Sequence, residues 1–217
     1  MELSVMLQLL ISGLGMTLQI FIITLVGALP LGVLVALARM SSFKPLALVA
    51  RFFISVLRGT PLMLQLMAWM FFPYYVFGMS LTSDWKFYAC AIGFILNYSA
   101  YFAEIYRSGI QSIPRGQYEA AQVLGFTKWQ TFLRIILPQT VKRILLPVSN
   151  EVITLVKDTS LATAIAVSEM YLTAKNATSA SGSVEPLFLA GVFYLLMNAA
   201  VTFVFGRLIK RFDYYHD

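Results

Sequence analysis

The sequence predicts an all-α membrane protein, a bundle of five transmembrane helices, from its composition and from the length of its apolar runs. The chain has 217 residues, of which 59% are hydrophobic and only 12% are charged. Because soluble domains carry about 25% charged residues, these charges are too few to cover a water-soluble globule of this size. Most of the surface must therefore face lipid, where the backbone has to satisfy its own hydrogen bonds.

Five stretches are suited to crossing a bilayer, which takes about 20 mostly apolar residues. They are Leu14–Ala38, Phe53–Phe77, Phe87–Tyr106, Leu145–Val167 and Leu187–Arg207. The first, third and fifth are clear, whereas the fourth contains Glu151, Lys157 and Asp158. The second contains Arg58-Gly59-Thr60-Pro61, so its helix is expected to restart at Pro61, because proline suits the first turn of a helix.

The segments around these spans are predicted to belong to the same domain, residues 1–217. The first span is expected to be retained, since no cationic leader precedes it and its apolar stretch outruns that of a cleaved signal. Leu3–Ser12 is expected to form a short interfacial helix ahead of it. The polar segment Thr173–Ser183 is interpreted as an external loop.

Basic residues orient the bundle in the membrane. They follow the first, third and fifth spans, at Arg39, Lys44, Arg51, Arg107, Arg115, Lys128, Arg134, Lys142, Arg143, Arg207, Lys210 and Arg211. The other two connections contain only Lys86 and Lys175. Because cytoplasmic connections carry the excess of Lys and Arg, the N-terminus is expected outside. The C-terminus and the connection 107–144 are expected in the cytoplasm.

Several function classes are excluded by the same residues. A net charge of +6 does not indicate a nucleic-acid binder, because that requires Lys and Arg grouped on one solvated face. Cys90 is the only cysteine and is expected to be a buried thiol. His216 is the only histidine and lies in a polar tail, so no metal site is expected. No nucleophile–base array occurs, and no catalytic residue is expected.

The connection 107–144 contains a predicted helical hairpin. Gln117–Phe126 forms the first short helix, with Gly125 placed where a helix ends and turns. Thr127 is expected to cap a second helix through Leu137, which Pro138 limits. On this pattern alone, the hairpin either faces the cytoplasm or lies on the membrane surface, as amphipathic loop helices do.

This hairpin resembles the EAA motif of binding-protein-dependent ABC importer permeases. Glu119-Ala120-Ala121, then Gly125, then Ile135 and Leu137-Pro138 match that motif at every spacing. Other segments are similar to the polar amino-acid branch of the family over nearly the whole chain: Gly13, Thr17 and Leu18; Arg58-Gly59-Thr60-Pro61 with Gln65; Glu104-Ile105-Tyr106-Arg107; Ile113-Pro114-Arg115-Gly116-Gln117; and Lys157-Asp158-Thr159-Ser160-Leu161.

The resemblance implies a permease subunit for polar amino acids, of the His, Gln, Glu or Arg type, in a bacterial cytoplasmic (inner) membrane. It implies that the hairpin is a coupling helix docked on an ATP-binding-cassette ATPase subunit, through Glu119, Ala120, Ala121, Gly125 and Phe126. It also implies an external solute-binding protein, and a homodimer or a heterodimer with a related permease. Since the chain has no Gly-x-x-x-x-Gly-Lys-Ser/Thr loop, ATP and Mg²⁺ are expected in the partner, and no cofactor is expected here.

Polar residues at similar depths in four spans predict a substrate path, because such residues usually face the bundle interior or a watery cavity. Gln65, Asn97 and Asn198 lie near the centres of their spans, with Lys157 and Asp158 just past the centre of theirs. The alternative is that the amides only bridge neighbouring helices, and that Lys157 and Asp158 neutralise each other.

The fourth span carries the principal candidates for substrate contact. Glu151 and Asp158 are seven residues apart and share a helix face, and Asp158 is the stronger candidate for the ammonium group of a substrate. Lys157 is expected to meet a carboxylate or to pair with a neighbouring helix. Thr159 and Ser160 favour local unwinding, since their hydroxyls can compensate freed backbone groups.

A second polar layer is predicted nearer the cytoplasm. Arg58, Glu104 and Glu151 fall within the inner third of their spans. Arg58 is expected to pair with one of the two carboxylates and to help close an inner gate. The alternative is an inert structural ion pair or an Arg side chain that extends to the membrane interface.

Two other classes of function compete with an importer permease. A channel or ion-driven carrier would suit midplane Lys157 and Asp158 but does not account for the hairpin. A membrane anchor for a soluble enzyme predicts no polar layer. The residues leave open which amino acid is carried, and whether this chain or the external receptor selects it.

Overall fold

The computed structural model describes residues 3–212, and all regular secondary structure in that range is helical. Glu2 and His216 lie outside the described residues. The helices are α1 (Leu3–Arg39), α2 (Lys44–Gly59), α3 (Leu62–Phe77), α4 (Ser83–Gln111), α5 (Arg115–Val123), α6 (Lys128–Thr131), α7 (Leu137–Asp158), α8 (Met170–Ser181) and α9 (Glu185–Phe212). A π-helical segment, Phe132–Ile136, joins α6 to α7, and a 3₁₀ helix, Thr159–Ile165, follows α7.

Two of the described helices are long and apolar enough to cross a membrane on their own. They are Ser4–Arg39 and Glu185–Phe212, and the bent pair α2–α3 counts as a third if it forms one broken span. The helices α4 and α7 have 29 and 22 residues, but their polar side chains lower their apolarity. The predicted stretches Phe87–Tyr106 and Leu187–Arg207 are confirmed as helical, inside α4 and α9.

The first helix is longer than the sequence predicts. α1 runs without a break for 37 residues, so the separate interfacial helix expected over Leu3–Ser12 is wrong. Met6 and Leu10 are buried there with Met170 and Ala174 of α8 and with Ala190 of α9. Burial of apolar side chains stabilises the unbroken continuation of the helix. A helix lying on a membrane surface would lack these contacts with α8 and α9.

The second predicted span is broken into two helices. α2 ends at Gly59 and α3 begins at Leu62, with a bend of 110° between them. Thr60 is extended (φ −122°, ψ 147°) and Pro61 is the N-cap of α3. Proline has no N–H to continue α2 and pushes its predecessor out of the helical region. The predicted restart at Pro61 is therefore confirmed, whereas Phe53–Phe77 is not one straight helix.

The fourth predicted span also changes course. The α-helix ends at Asp158 and tightens into the 3₁₀ helix, which ends at Ala166 in the left-handed region (φ 55°). Thr159 Oγ1 donates to the carbonyl of Val156 (2.8 Å), and Ser160 Oγ donates to the carbonyl of Lys157 (2.7 Å). The unwinding expected at Thr159 and Ser160 is thus a change of helix type, with both hydroxyls bonded to the backbone.

The segment Thr173–Ser183 is not the loop that its polar composition predicts. Most of it belongs to α8, which ends at Gly182 in the left-handed conformation (φ 64°). Glu169 begins this helix: its fully buried carboxylate accepts the N–H groups of Tyr171 and Leu172, both at 2.7 Å, and the Tyr194 hydroxyl at 2.9 Å. The cap fixes α8 against α9, because Tyr194 lies on α9.

Replacing Glu169 with alanine should lower the free energy of unfolding by about 2 kcal/mol. The substitution removes the acceptor for two backbone N–H groups and one hydroxyl, all in partly buried hydrogen bonds. Thermal unfolding in detergent micelles measures the effect. The control is Glu185→Ala, which removes an exposed carboxylate from the first residue of α9. Equal melting temperatures for the two variants would contradict the role of Glu169.

The core is built around α4, which packs against α1, α3 and α7. Phe94, Tyr98 and Phe102 of α4 are buried, as is the thiol of Cys90, in agreement with the sequence. Glycine permits the closest approach at Gly109, where a Cβ would lie 2.2 Å from Ile144 Cγ2. Close packing of these helices holds the polar faces of α4 and α7 at a fixed separation.

Candidate functional site

A cavity of about 350 Å³ lies where the α2–α3 break meets α4 and α7. Three of the predicted path residues line it, namely Asn97, Glu151 and Asp158. The remaining lining residues are Thr60, Pro61, Leu62, Tyr98, Tyr101, Thr154 and Leu161. Its volume falls within the range of small-molecule sites, so we call it the candidate site.

Two amides close the backbone gap beside this cavity. Gln65 Nε2 donates to the carbonyls of Leu57 (2.9 Å) and Thr60 (3.1 Å) and to the Thr60 hydroxyl (2.8 Å). Asn97 Nδ2 donates to the Leu57 carbonyl and to Gln65 Oε1, both at 3.0 Å. Carbonyls at the end of a helix lack intrahelical partners. The two amides therefore bridge helices and stabilise the break, as one interpretation of the sequence expected.

The two carboxylates of α7 are less completely bonded. Asp158 Oδ2 accepts the Tyr98 hydroxyl at 2.8 Å, whereas its Oδ1 has no hydrogen bond within residues 3–212. Glu151 is half-buried and forms neither a hydrogen bond nor an ion pair with any described residue. Both carboxylates can therefore accept hydrogen bonds from a ligand in the cavity.

Tyr98 is a site residue that sequence reasoning missed. Its side chain is almost fully buried, and a buried phenol usually finds a hydrogen-bond partner. A tyrosine next to Asn97 in an apolar span was the available signal. Its hydroxyl holds Asp158 in a fixed orientation from the facing helix.

The cavity also has a positively polarised end. Pro61 makes no side-chain capping bond at the start of α3, and the first N–H groups of a helix have no intrahelical acceptor. The N–H of Leu62, which lines the cavity, makes no hydrogen bond to described residues. Because the N-terminus of a helix carries about half a positive charge, an anionic group is favoured at this end.

The other predicted residues of the fourth span lie outside the cavity. Lys157 is exposed and does not line it, Thr159 is fully buried and Ser160 is half-buried. Neighbouring residues on a helix point about 100° apart, so when Asp158 faces the cavity, Lys157 faces away. Because Lys157 faces away from the cavity, its location does not favour a role in binding the carboxylate of a substrate.

The inner ion pair predicted for Arg58 does not form among the described residues. Glu104 pairs with Arg107 instead, which lies one turn further along α4. The Arg58 guanidinium carbon lies 5.2 Å from the ring centroid of Tyr101, a cation–π contact. Since Tyr101 lines the cavity, Arg58 is placed beside it.

The predicted hairpin is confirmed in its first half. α5 ends at Val123, and Gly125 turns the chain in the left-handed conformation (φ 76°). Thr127 and Gln130 then form a capping box, in which each side chain satisfies the backbone N–H of the other. Ala121 is buried, whereas Val123 and Leu124 are 87% and 72% exposed. Glu119 and Ala120 are also exposed.

The second half of the hairpin differs from the prediction. The helix that begins after Thr127 does not end at Leu137, because the π-helical segment carries it through Pro138 into α7. Pro138 removes one backbone donor from the helix. The π-helical segment, whose turn is wider than that of an α-helix, lies just before this proline. Gln139 Nε2 donates to the carbonyl of Ile135 at 2.8 Å, within the π-helical segment. The hairpin is thus continuous with the helix that carries Glu151 and Asp158.

The sequence of this chain matches a known protein family and known relatives. Residues 28–214 match the family described as binding-protein-dependent transport system inner membrane component. The chain is 36% identical over 203 residues to the arginine transport system permease protein ArtQ of Bacillus subtilis (strain 168), covering 93% of this chain and 91% of that protein. It is also 36% identical over 209 residues to the glutamine transport system permease protein GlnP of Escherichia coli (strain K12), covering 94% and 92%.

The fold agrees with a solved structure described as an amino acid ABC transporter with histidines. The TM-score is 0.86 at 33% sequence identity, and the match covers 97% of this chain and 99% of the other. The family match spans most of the chain, and both permeases are similar over nearly their full length. The chain therefore belongs to the family of inner membrane components of binding-protein-dependent transport systems.

Proposed function

We propose that the chain is the permease subunit of an ATP-binding-cassette importer that moves a polar amino acid into the cytoplasm. Family membership and the relatives named above support this function. The observation that carries the substrate class is the pairing of opposite charges in one cavity: the uncapped start of α3 faces a space that Asp158 also lines. A free amino acid presents the complementary pair, a carboxylate and an ammonium group.

In this proposal, the two ends of the cavity bind the two ends of the amino-acid backbone. The N–H of Leu62 donates to the substrate carboxylate, which the dipole of α3 favours. Asp158 accepts from the ammonium group through Oδ1, while Tyr98 holds Oδ2. Gln65 and Asn97 contribute indirectly, because they hold the helix break open at the height of the site.

Coupling to ATP hydrolysis is assigned to the hairpin. Glu119, Ala120, Gly125 and Phe126 belong to the surface that an ATPase subunit would grip, next to a groove of about 650 Å³ between α5 and α6. Ala121 is buried beneath this surface and would support it. A push on this hairpin would travel along the continuous helix through the π segment and α7 to Glu151 and Asp158. The compliant element would be the 3₁₀ helix at Thr159 and Ser160, since 3₁₀ hydrogen bonds have poorer geometry.

The proposed assembly has two permease chains, two ATPase subunits and an external solute-binding protein, in a bacterial cytoplasmic membrane. The five crossings are α1, the α2–α3 pair, α4, α7 with its 3₁₀ extension, and α9, with the N-terminus outside. ATP and Mg²⁺ would be bound by the ATPase. Arg58 on Tyr101 and the Glu104–Arg107 pair would lie on the inner side of the cavity and contribute to an inner gate.

Reconstitution in liposomes tests this function. The chain is purified with its ATPase and its solute-binding protein, and the uptake of labelled amino acids is followed with and without ATP. We expect uptake to require ATP, the ATPase and the binding protein together. Uptake by the purified chain alone, driven by a proton or sodium gradient, would instead identify an ion-coupled carrier and overturn the proposal.

A further inference from the structure

We propose that one flank of α2 lines a water-filled exit track, along which the carboxylate of a transported amino acid leaves the candidate site towards the cytoplasm. The residues of this basic flank are Lys44, Arg51, Ser55 and Arg58. The inference rests on the proposed function, because it adds an exit route to the cavity that binds the substrate. It gives Lys44 and Arg51 a role beyond setting the orientation of the chain.

The apolar residues of α2 form two separate faces. One face packs into the core and consists of Ala50, Ile54 and Leu57. The other lies on the opposite side of the helix, is exposed, and consists of Leu48, Val49, Phe52 and Val56. Such a face suits contact with lipid, because lipid tails are as apolar as these side chains. The lipid-facing side of α2 is therefore one that carries no charge.

The charged residues of α2 share a third face, between the two apolar ones. Lys44, Arg51 and Arg58 recur every seven residues, and Ser55 lies about one turn from each arginine, so all four point to the same flank. All four side chains are exposed, and the three cations form no ion pair with residues 3–212. Because cations inside a membrane usually face the bundle interior or a water-filled cavity, this flank should face water.

The basic flank begins at the candidate site. The Arg58 guanidinium carbon lies 5.2 Å from the ring centroid of Tyr101, which lines the cavity. Arg58 also interacts electrostatically with Glu151 on the cavity wall. From Arg58 the flank extends about 21 Å along α2 to Lys44, where the distribution of basic residues predicts the cytoplasm. Its cations therefore lie about 10 Å apart on a direct line from the cavity to the cytoplasm.

The charge of the flank indicates what would move along it. Within residues 3–212, the carboxylates of the predicted cytoplasmic half are already placed: Glu104 pairs with Arg107, Glu151 lines the cavity, and Glu119 lies on the hairpin. A second copy of this chain would therefore offer no free carboxylate at the depth of Arg51. A mobile anion fits instead, because a cleft lined by charges of one sign concentrates ions of the other sign. The carboxylate common to all amino acids is such an anion.

Thiol modification in the permease–ATPase complex tests whether the flank holds water and favours anions. Ser55→Cys places a thiol on the flank, and Val56→Cys is its matched control at the same depth on the exposed apolar face. Native Cys90 is buried, and the wild type serves as the blank. Complexes in phosphatidylcholine nanodiscs are treated with a methanethiosulfonate that carries either a sulfonate or a trimethylammonium group. Each rate is divided by the rate of the same reagent with free cysteine.

We expect Ser55→Cys to react at least about tenfold faster than Val56→Cys, because the reactive thiolate forms in water and not in lipid. It should also favour the anionic reagent by about tenfold, since two screened Arg charges about one turn away attract one reagent and repel the other. Adding Arg51→Gln should reduce this preference to about threefold, and adding Arg51→Lys should retain it. Equal rates at the two positions, or no preference between the reagents, would overturn the inference.

Anionic lipid headgroups would also be attracted to a basic flank, and a change of lipid separates them from the substrate carboxylate. In phosphatidylglycerol nanodiscs, a headgroup bound to the flank would slow the reaction of Ser55→Cys with both reagents. Surface potential alone would accelerate the cationic reagent, and this acceleration is the result that we expect. Slower reaction with both reagents would assign the flank to lipid and overturn the inference.

Transport kinetics connect the flank to the substrate. Arg51→Gln should lower the maximal rate of uptake about threefold without changing the affinity of the complex for the labelled amino acid that the wild type takes up best. The affinity should persist because Arg51 does not line the cavity. Arg51→Lys should restore the rate. The matched control Lys210→Gln, which removes a charge from the exposed end of α9, should transport normally.

An unchanged maximal rate in Arg51→Gln would overturn the inference. ATP-driven uptake by that variant would leave the proposed function intact, so the two failures are distinguishable. Absence of ATP-driven uptake by the wild-type assembly would count against both.

Discussion

Replacing Asp158 with asparagine should reduce amino-acid uptake by about 100-fold, because a charge-assisted hydrogen bond to the substrate ammonium group is worth up to about 3 kcal/mol. Asparagine has nearly the same shape and can still accept the Tyr98 hydroxyl, so the packing of α4 against α7 should persist. Initial rates of uptake in liposomes measure the effect, and co-purification with the ATPase reports assembly.

A companion variant separates the charge of Asp158 from its orientation. Tyr98→Phe removes only the hydroxyl and should cause a smaller loss of uptake than Asp158→Asn, since the carboxylate remains. Transport by Asp158→Asn at the wild-type rate would show that the substrate does not contact this carboxylate. Loss of the ATPase from the purified complex would instead show that Asp158 acts through assembly.

Replacing Gly125 with valine should abolish stable binding of the ATPase subunit. Gly125 has φ 76°, a region that costs an L-residue about 1–2 kcal/mol and disfavours β-branched residues most. Relief of this strain would turn the Thr127 capping box away from α5 and change the shape of the gripped surface. The measurements are co-purification with the ATPase and the rate of ATP hydrolysis stimulated by the loaded solute-binding protein.

Gly116→Val is the matched control for the hairpin. Gly116 lies in α5 with an ordinary φ, and a Cβ on it would meet nothing within 4 Å. This variant should bind the ATPase nearly as well as the wild type. If Gly125→Val also bound and stimulated the ATPase normally, the turn at Gly125 would have no part in coupling.

Local signals predicted the features that depend on a few neighbouring residues. Pro61 marked the break in the second span, Gly125 marked the turn of the hairpin, and Thr127 marked the following cap. Each of these acts within one turn of backbone, through a missing donor, a positive φ or a side-chain acceptor. Glu151 and Asp158 were placed on one face by helical periodicity, and they line the same cavity.

The sequence did not predict the features that depend on contacts between residues far apart in the chain. The polar composition of Thr173–Ser183 predicted a loop, but Glu169 and Tyr194, 25 residues apart, stabilise a helix there. Pro138 predicted a helix end, but the π segment and packing of α7 carry the helix through. Depth in the membrane predicted an ion pair of Arg58 with Glu104 or Glu151, but Glu104 pairs with Arg107 on the same helix, and Arg58 forms no ion pair among residues 3–212.

The sequence by itself therefore determined the class of the protein, the position of its apolar helices and the turn of the hairpin, because apolar runs and cap residues act locally. Only the tertiary structure decided which polar side chains face one another. Tyr98 meets Asp158 across 60 residues of sequence, and Gln65 and Asn97 close the gap at Leu57. Such pairings depend on the rotation and crossing of packed helices, where close contacts at Gly32, Gly93 and Gly109 fix the geometry, and no local pattern contains that information.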